Sequence, residues 1–136
     1  SEHSKFQEHH FWQGTRDVSA YLTIPDAIKF RKENEWNNIS NLCKSRIVDF
    51  RKELHQFIKN DSLIKSNPRK WLGQMYSFEI DCDDLISLKN DLFNHYKIEI
   101  PILKWKEKTL MRISLNGYNS EKDIDKLLSF FKKNNY

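Results

Sequence analysis

A chain of 136 residues carries one domain's worth of polypeptide, too little for two well-filled cores or for most large enzymes in complete form. Leu, Ile, Val and Phe together number 37, enough apolar mass to exclude a disordered chain. The net charge of +4 comes from 23 basic and 19 acidic residues interspersed along the chain, with no like-charge run to mark a nucleic-acid surface. No stretch approaches the roughly 20 apolar residues that span a bilayer.

Residues 1–24 hold aromatics without helical period (Phe6, Phe11, Trp12, Tyr21) around Gln13-Gly14-Thr15-Arg16-Asp17, which predicts loop and irregular structure. The chain opens without an initiator Met inside this polar segment, which suggests a piece of a longer polypeptide. Ile24-Pro25 starts a helix, because Pro is tolerated at the first helical position, and Asn34 interrupts it. A longer helix is expected over 35–58, where Ile39, Leu42, Cys43, Ile47, Phe50, Leu54, Phe57 and Ile58 fall on one stripe.

The turn-rich stretch 60–68 marks a domain junction, and beyond it the period changes from helical to alternating. Met75 to Ile80 reads as a half-buried strand, with Tyr76, Phe78 and Ile80 on one side and Ser77 and Glu79 on the other. Asp81 or Asp83 caps a helix carrying Leu85, Leu88, Leu92, Phe93 and Tyr96. A strand over 98–104 follows, at a sheet edge or distorted because Pro101 cannot donate to a ladder. The next strand, over 109–116, faces Thr109, Met111, Ile113 and Leu115 one way and Leu110, Arg112, Ser114 and Asn116 the other. Gly117-Tyr118-Asn119 turns the chain, and Ser120 with Asp123 opens a last helix whose Ile124, Leu127, Leu128 and Phe131 repeat at helical spacing. The predicted fold class is α+β: long helices leading into a small antiparallel sheet in the order β-α-β-β-α, with helices packed on one face.

Arg112 is the residue that chemistry singles out. A guanidinium in mid-strand between Met111 and Ile113 needs an anionic partner if its face is covered. That partner is a ligand carboxylate or an internal Asp or Glu; otherwise the side chain faces solvent. Gly14, Thr15 and Arg16 join close backbone approach, a hydroxyl and a cation, a combination that suits a phosphate and equally a surface turn. His3, His9 and His10 lack thiolate or carboxylate partners, so no metal is expected. Trp12, Trp36, Trp71 and Trp105 lie in separate elements without a nucleic-acid recognition signature, which favours core or interface packing. Asp81, Asp83 and Asp84 read as helix-capping acids. Cys43 and Cys82 form no metal spacing and read as buried thiols; with no leader pattern at the N-terminus, they predict a cytoplasmic protein.

Three segments, in this order, resemble one family. They are Phe11-Trp12-Gln13-Gly14-Thr15-Arg16-Asp17-Val18-Ser19-Ala20-Tyr21-Leu22, then Tyr96-Lys97-Ile98-Glu99-Ile100-Pro101-Ile102, then Leu110-Met111-Arg112-Ile113-Ser114-Leu115-Asn116-Gly117-Tyr118-Asn119. Together they resemble the C-terminal part of class V, fold-type I pyridoxal-phosphate (PLP) enzymes of the aminotransferase kind, closest to the isopenicillin N epimerase-like branch. Val18 departs from the Pro usual in that branch, which affects loop rigidity more than chemistry.

The resemblance implies a fragment. The large domain with the Schiff-base lysine would lie upstream. Residues 1–24 would be its tail, 25–60 connecting helices, and 61–136 the C-terminal small domain. By the same resemblance, Gly14 and Thr15 match the loop that reaches the PLP phosphate of the neighbouring subunit of a homodimer. Arg112 matches the arginine that holds the carboxylate of an amino-acid substrate. PLP would carry the carbanion chemistry while the protein supplies orientation, and this chain alone would be inactive. The competing expectation is a standalone α+β module that engages nucleic acid or a protein partner through basic and aromatic residues.

Overall fold

The computed structural model describes residues 4–11, 14–58 and 68–134. Residues 1–36 and 37–136 form two compact units, the division falling between Trp36 and Asn37. Of the expected junction at 60–68, residues 60–67 lie outside the described residues, and Pro68 opens a short helix.

In the first unit the expectation of irregular structure over 1–24 is corrected by two helices, α1 (Lys5–Phe11) and α2 (Ser19–Leu22). The cause of α1 is legible in Ser4-Lys5-Phe6-Gln7, a reciprocal cap. The Ser4 N–H donates to Gln7 Oε1 at 2.9 Å and the Gln7 N–H donates to Ser4 Oγ at 3.2 Å. Asp17 opens α2 by accepting from both the N–H and the hydroxyl of Ser19. Helix α3 (Ile24–Glu33) begins with Pro25 in its first turn. It ends where the Asn34 side-chain amide and N–H both donate to the Phe30 carbonyl. Glu35 follows in the left-handed region (φ 48°), which breaks the helical path before α4 (Trp36–Leu54). None of the residues of α1, α2 or α3 is buried.

The second unit holds the core. Helix α4 contributes Cys43, Ile47, Val48, Phe50 and Leu54, whereas Leu42 falls off the expected stripe and is exposed. The helix ends at Leu54, four residues early, as the Phe57 N–H bonds the Leu54 carbonyl in a tighter turn. After the short α5 (Pro68–Trp71) comes β1 (Met75–Ile80), as expected. Helix α6 (Leu85–Asp91) is capped by Asp84, not Asp81 or Asp83: its carboxylate accepts from the N–H groups of Ile86 (3.0 Å) and Ser87 (2.9 Å). The helix widens into a π turn over Leu92–Tyr96, closed by a left-handed Lys97 (φ 55°). Phe93, expected on the apolar stripe, lies next to buried Leu92 and is exposed.

Strands β2 (Ile102–Trp105) and β3 (Lys108–Ser114) form a hairpin, and the antiparallel sheet has the order β1-β3-β2. The strand expected over 98–104 starts only after Pro101, at the sheet edge. Pro101 has no N–H to extend the ladder, although its carbonyl accepts from the Arg112 N–H at 3.0 Å. The inner face carries Tyr76, Phe78, Ile80, Ile102, Thr109, Met111 and Ile113, all buried. Phe78 is the hub: its ring meets Tyr76 at 5.4 Å, Phe131 of α7 (Glu121–Lys133) at 5.6 Å edge-on, and Phe50 of α4 at 6.1 Å. Helices therefore cover one face of the sheet, the α+β class read from the sequence.

Helix α7 begins at Ser120, whose N–H and hydroxyl donate to Asp123 Oδ2 at 2.8 and 3.0 Å. These bonds, the backbone one first, hold the Asp123 carboxyl below its ordinary value of 3.8. A depressed folded pKa means that the contribution is present above pH 3.8 and is lost as pH falls through the folded value. At neutral pH the urea midpoint of Asp123→Asn should therefore lie below that of the parent chain. The gap should close as the pH is taken well below 3.8; a gap independent of pH would show that the charge on Asp123 does not stabilise the helix.

Candidate functional site

Alternation on β3 determines where Arg112 can be. Met111 and Ile113 point into the core, so Arg112 lies on the opposite face and is exposed. Across the sheet it is paired in register with Ser77 of β1. The outer face carries three formal charges: Glu79, Lys108 and Arg112. Lys108 Nζ donates to Glu79 Oε2 at 2.6 Å, within a partly buried ion pair. Arg112 makes no side-chain hydrogen bond or ion pair among the described residues; of the readings considered for it, the internal carboxylate is not found there and the side chain faces solvent.

Arg112 borders two hollows. One is a groove of about 350 Å³ at the end of β3, walled by residues 97–101, Asn119 and the first turns of α7. It mixes Lys97, Lys126, Glu99 and Asp123 with Ile98, Ile113 and Leu127. The other lies on the outer sheet face, has a volume of about 310 Å³, and is lined by Ser77, Leu103, Trp105, Leu110 and Arg112. Sequence reasoning placed Ser77 on the polar side of its strand. It could not place Ser77 opposite Arg112, because strand pairing between distant segments leaves no local signal.

Gly14 and Thr15 belong to the first unit, apart from the unit that holds Arg112. Gly14 has φ 78°, the left-handed region that glycine adopts without a Cβ penalty, and an added Cβ there would meet nothing within 4 Å. The glycine is thus required by the turn and not by crowding within the chain. Thr15 is exposed. The Arg16 guanidinium lies over the Tyr21 ring at 5.5 Å. Ser19 holds the Asp17 carboxyl below its ordinary range through its hydroxyl and N–H. Trp12 and Gln13 of this motif lie outside the described residues.

The remaining candidates disperse. His10 bonds the Phe6 carbonyl at 2.8 Å on α1 and stacks on the Phe6 ring, while His3 is outside the described residues. Among the described residues no three His, Cys, Asp or Glu side chains gather as metal ligands. Trp36 meets Phe30 and Arg31, and Trp71 and Trp105 are exposed, so none of the described tryptophans is in the buried core. Cys43 is buried and Cys82 half-buried; burial pushes the Cys82 thiol up, which keeps it protonated. No described helix is long and apolar enough to cross a membrane.

No family model matches the chain. It is similar to the isopenicillin N epimerase of Amycolatopsis lactamdurans, with 24% identity over 122 residues that cover 89% of this chain and 30% of that protein. It is also similar to the isopenicillin N epimerase of Streptomyces clavuligerus, with 25% identity over 116 residues, 85% of this chain and 29% of that protein. The likeness is a family-level resemblance to the branch expected from the sequence. The chain spans about 30% of the length of the curated relatives it matches.

An exposed, unpaired arginine contributes little to folding. Arg112→Met should change the stability of the chain by no more than about 0.5 kcal/mol in urea unfolding. A loss of about 2 kcal/mol or more would assign Arg112 a structural role instead.

Proposed function

We propose that this chain is the C-terminal portion of a PLP-dependent, class V aminotransferase- or epimerase-like enzyme that acts on an amino-acid substrate. Residues 1–24 are the tail of the large cofactor-binding domain, 25–60 the connecting helices and 61–136 the small α+β domain. The observation that carries the reading is Arg112: a guanidinium exposed in mid-strand beside a hydroxyl, without an internal counterion among the described residues. It stands in a chain similar to two isopenicillin N epimerases.

Arg112 holds the substrate carboxylate, for which its planar fork is suited to two parallel N–H···O bonds. Gly14 and Thr15 reach the phosphate of PLP in the neighbouring subunit of a homodimer. Their donor set fits a phosphate: a left-handed glycine with open space at its Cβ position, followed by an exposed hydroxyl. When bound, PLP supplies the electron sink for chemistry at the substrate's α-carbon. The residues of this chain bind and orient, and neither Arg112 nor Thr15 gives or takes a proton.

In the full-length enzyme, Arg112→Ala should lower kcat/KM for carboxylate substrates by about one to two powers of ten, with Arg112→Lys losing less. An unchanged value removes Arg112 from the site. The chain alone, mixed with PLP, should give only nonspecific lysine adducts, and a stoichiometric adduct trapped by borohydride would contradict the fragment reading.

A further inference from the structure

The outer-face hollow has a composition that selects its occupant. Among the described residues, Arg112 is its single formal charge and Ser77 its single side-chain hydroxyl, while Leu103, Leu110 and Trp105 supply the rest of its lining. Register brings them together: Ser77 pairs with Arg112 across β1 and β3, Leu110 with Leu103 across β3 and β2, and Trp105 with Lys108 at the hairpin end. Leu103 and Trp105 are 42% and 49% exposed, so apolar surface stands uncovered beside an uncompensated cation.

The neighbouring charges sharpen this selection. Glu79 is engaged by Lys108 and so does not neutralise Arg112, and Lys106 lies over the Trp105 ring at 5.0 Å, which adds positive potential at the far end. A wholly apolar ligand would leave Arg112 unpaired, and a strongly polar one would leave the three apolar side chains in water. The fitting occupant is one carboxylate attached to a bulky apolar body. At about 310 Å³ the hollow is at the small end of ligand sites and admits a single amino-acid-sized molecule.

We propose that this hollow is the side-chain subsite of the enzyme, so that its substrates are amino acids with a large apolar or aromatic side chain. Their carboxylate sits on Arg112 and their side chain against Leu103, Leu110 and Trp105. Naming the ligand a substrate rests on the function proposed above; the preference for an apolar carboxylate rests on the hollow itself.

Two measurements test it. In the first, the 136-residue chain is titrated with 3-phenylpropionate, acetate and 3-phenylpropanamide while the Trp105 indole N–H and Arg112 signals are followed by NMR. 3-Phenylpropionate should shift both signals and bind about tenfold or more tighter than either control, and the binding should be lost in Arg112→Met and weakened in Trp105→Ala. Equal binding of acetate, or shifts confined to other parts of the chain, would overturn the proposal.

In the second, Trp105→Ala in the full-length enzyme should lower the ratio of kcat/KM for phenylalanine over alanine by about tenfold. An unchanged ratio, as expected if another stretch of the parent polypeptide covers the hollow, overturns the subsite. If the ratio is unchanged while Arg112→Ala still costs activity, the subsite fails and the carboxylate role stands. If the chain binds the probe as described but Arg112→Ala leaves activity intact, the function proposed above fails.

Discussion

The register between β1 and β3 is the constraint on which the second unit depends. Phe78 opposite Met111 and Tyr76 opposite Ile113 place four large side chains on the face that α4 and α7 cover. A slip of β3 by one residue would send Met111 and Ile113 to solvent and drive Arg112 into the aromatic core. The exposure of Arg112 is thus a consequence of core packing, and the same hydrophobic term that folds the sheet holds the guanidinium out toward solvent.

The edge strand extends this logic. Pro101 withholds an N–H, which keeps the segment 98–100 out of the ladder and leaves β2 only four residues long. A short edge beside a long central strand ends this side's pairing at the bond from the Arg112 N–H to the Pro101 carbonyl, and the groove bordered by residues 97–101 lies beside the end of β3. The left-handed Lys97 and the π turn before it set where this segment starts, since the Ile98 N–H closes back onto the Leu92 carbonyl at 2.9 Å.

Much of this could be read from residues alone because the signals were local. Alternation over 75–80 and 109–116 gave the inner and outer faces, and the pattern Ser120 to Asp123 gave the start of α7. The cap in Ser4-Lys5-Phe6-Gln7 was equally local, but the aperiodic aromatics around it pointed to loop and hid α1. Phe93 was misplaced because it lies one residue beyond Leu92, at the margin of the stripe, where spacing does not decide the face. What sequence could not supply was pairing at a distance. The Ser77 and Arg112 pair, the Glu79 and Lys108 ion pair, and the convergence of Leu103, Leu110 and Trp105 all join residues from different strands.

The two units differ in how their apolar surface is handled, and that difference bears on the fragment reading. The second unit buries Phe50, Tyr76, Phe78, Phe130 and Phe131 in one core, whereas the first leaves Phe6, Phe11, Tyr21, Leu22, Ile28 and Phe30 exposed on helices held by caps and short-range bonds. Helices this short are marginal in water without a surface to pack against, because nucleation is unfavourable and few hydrogen bonds follow it. The apolar residues of the first unit are the larger reserve, since each contributes about 1.5 to 3 kcal/mol once buried. In the function proposed above, an upstream large domain would supply that surface and bury these apolar side chains.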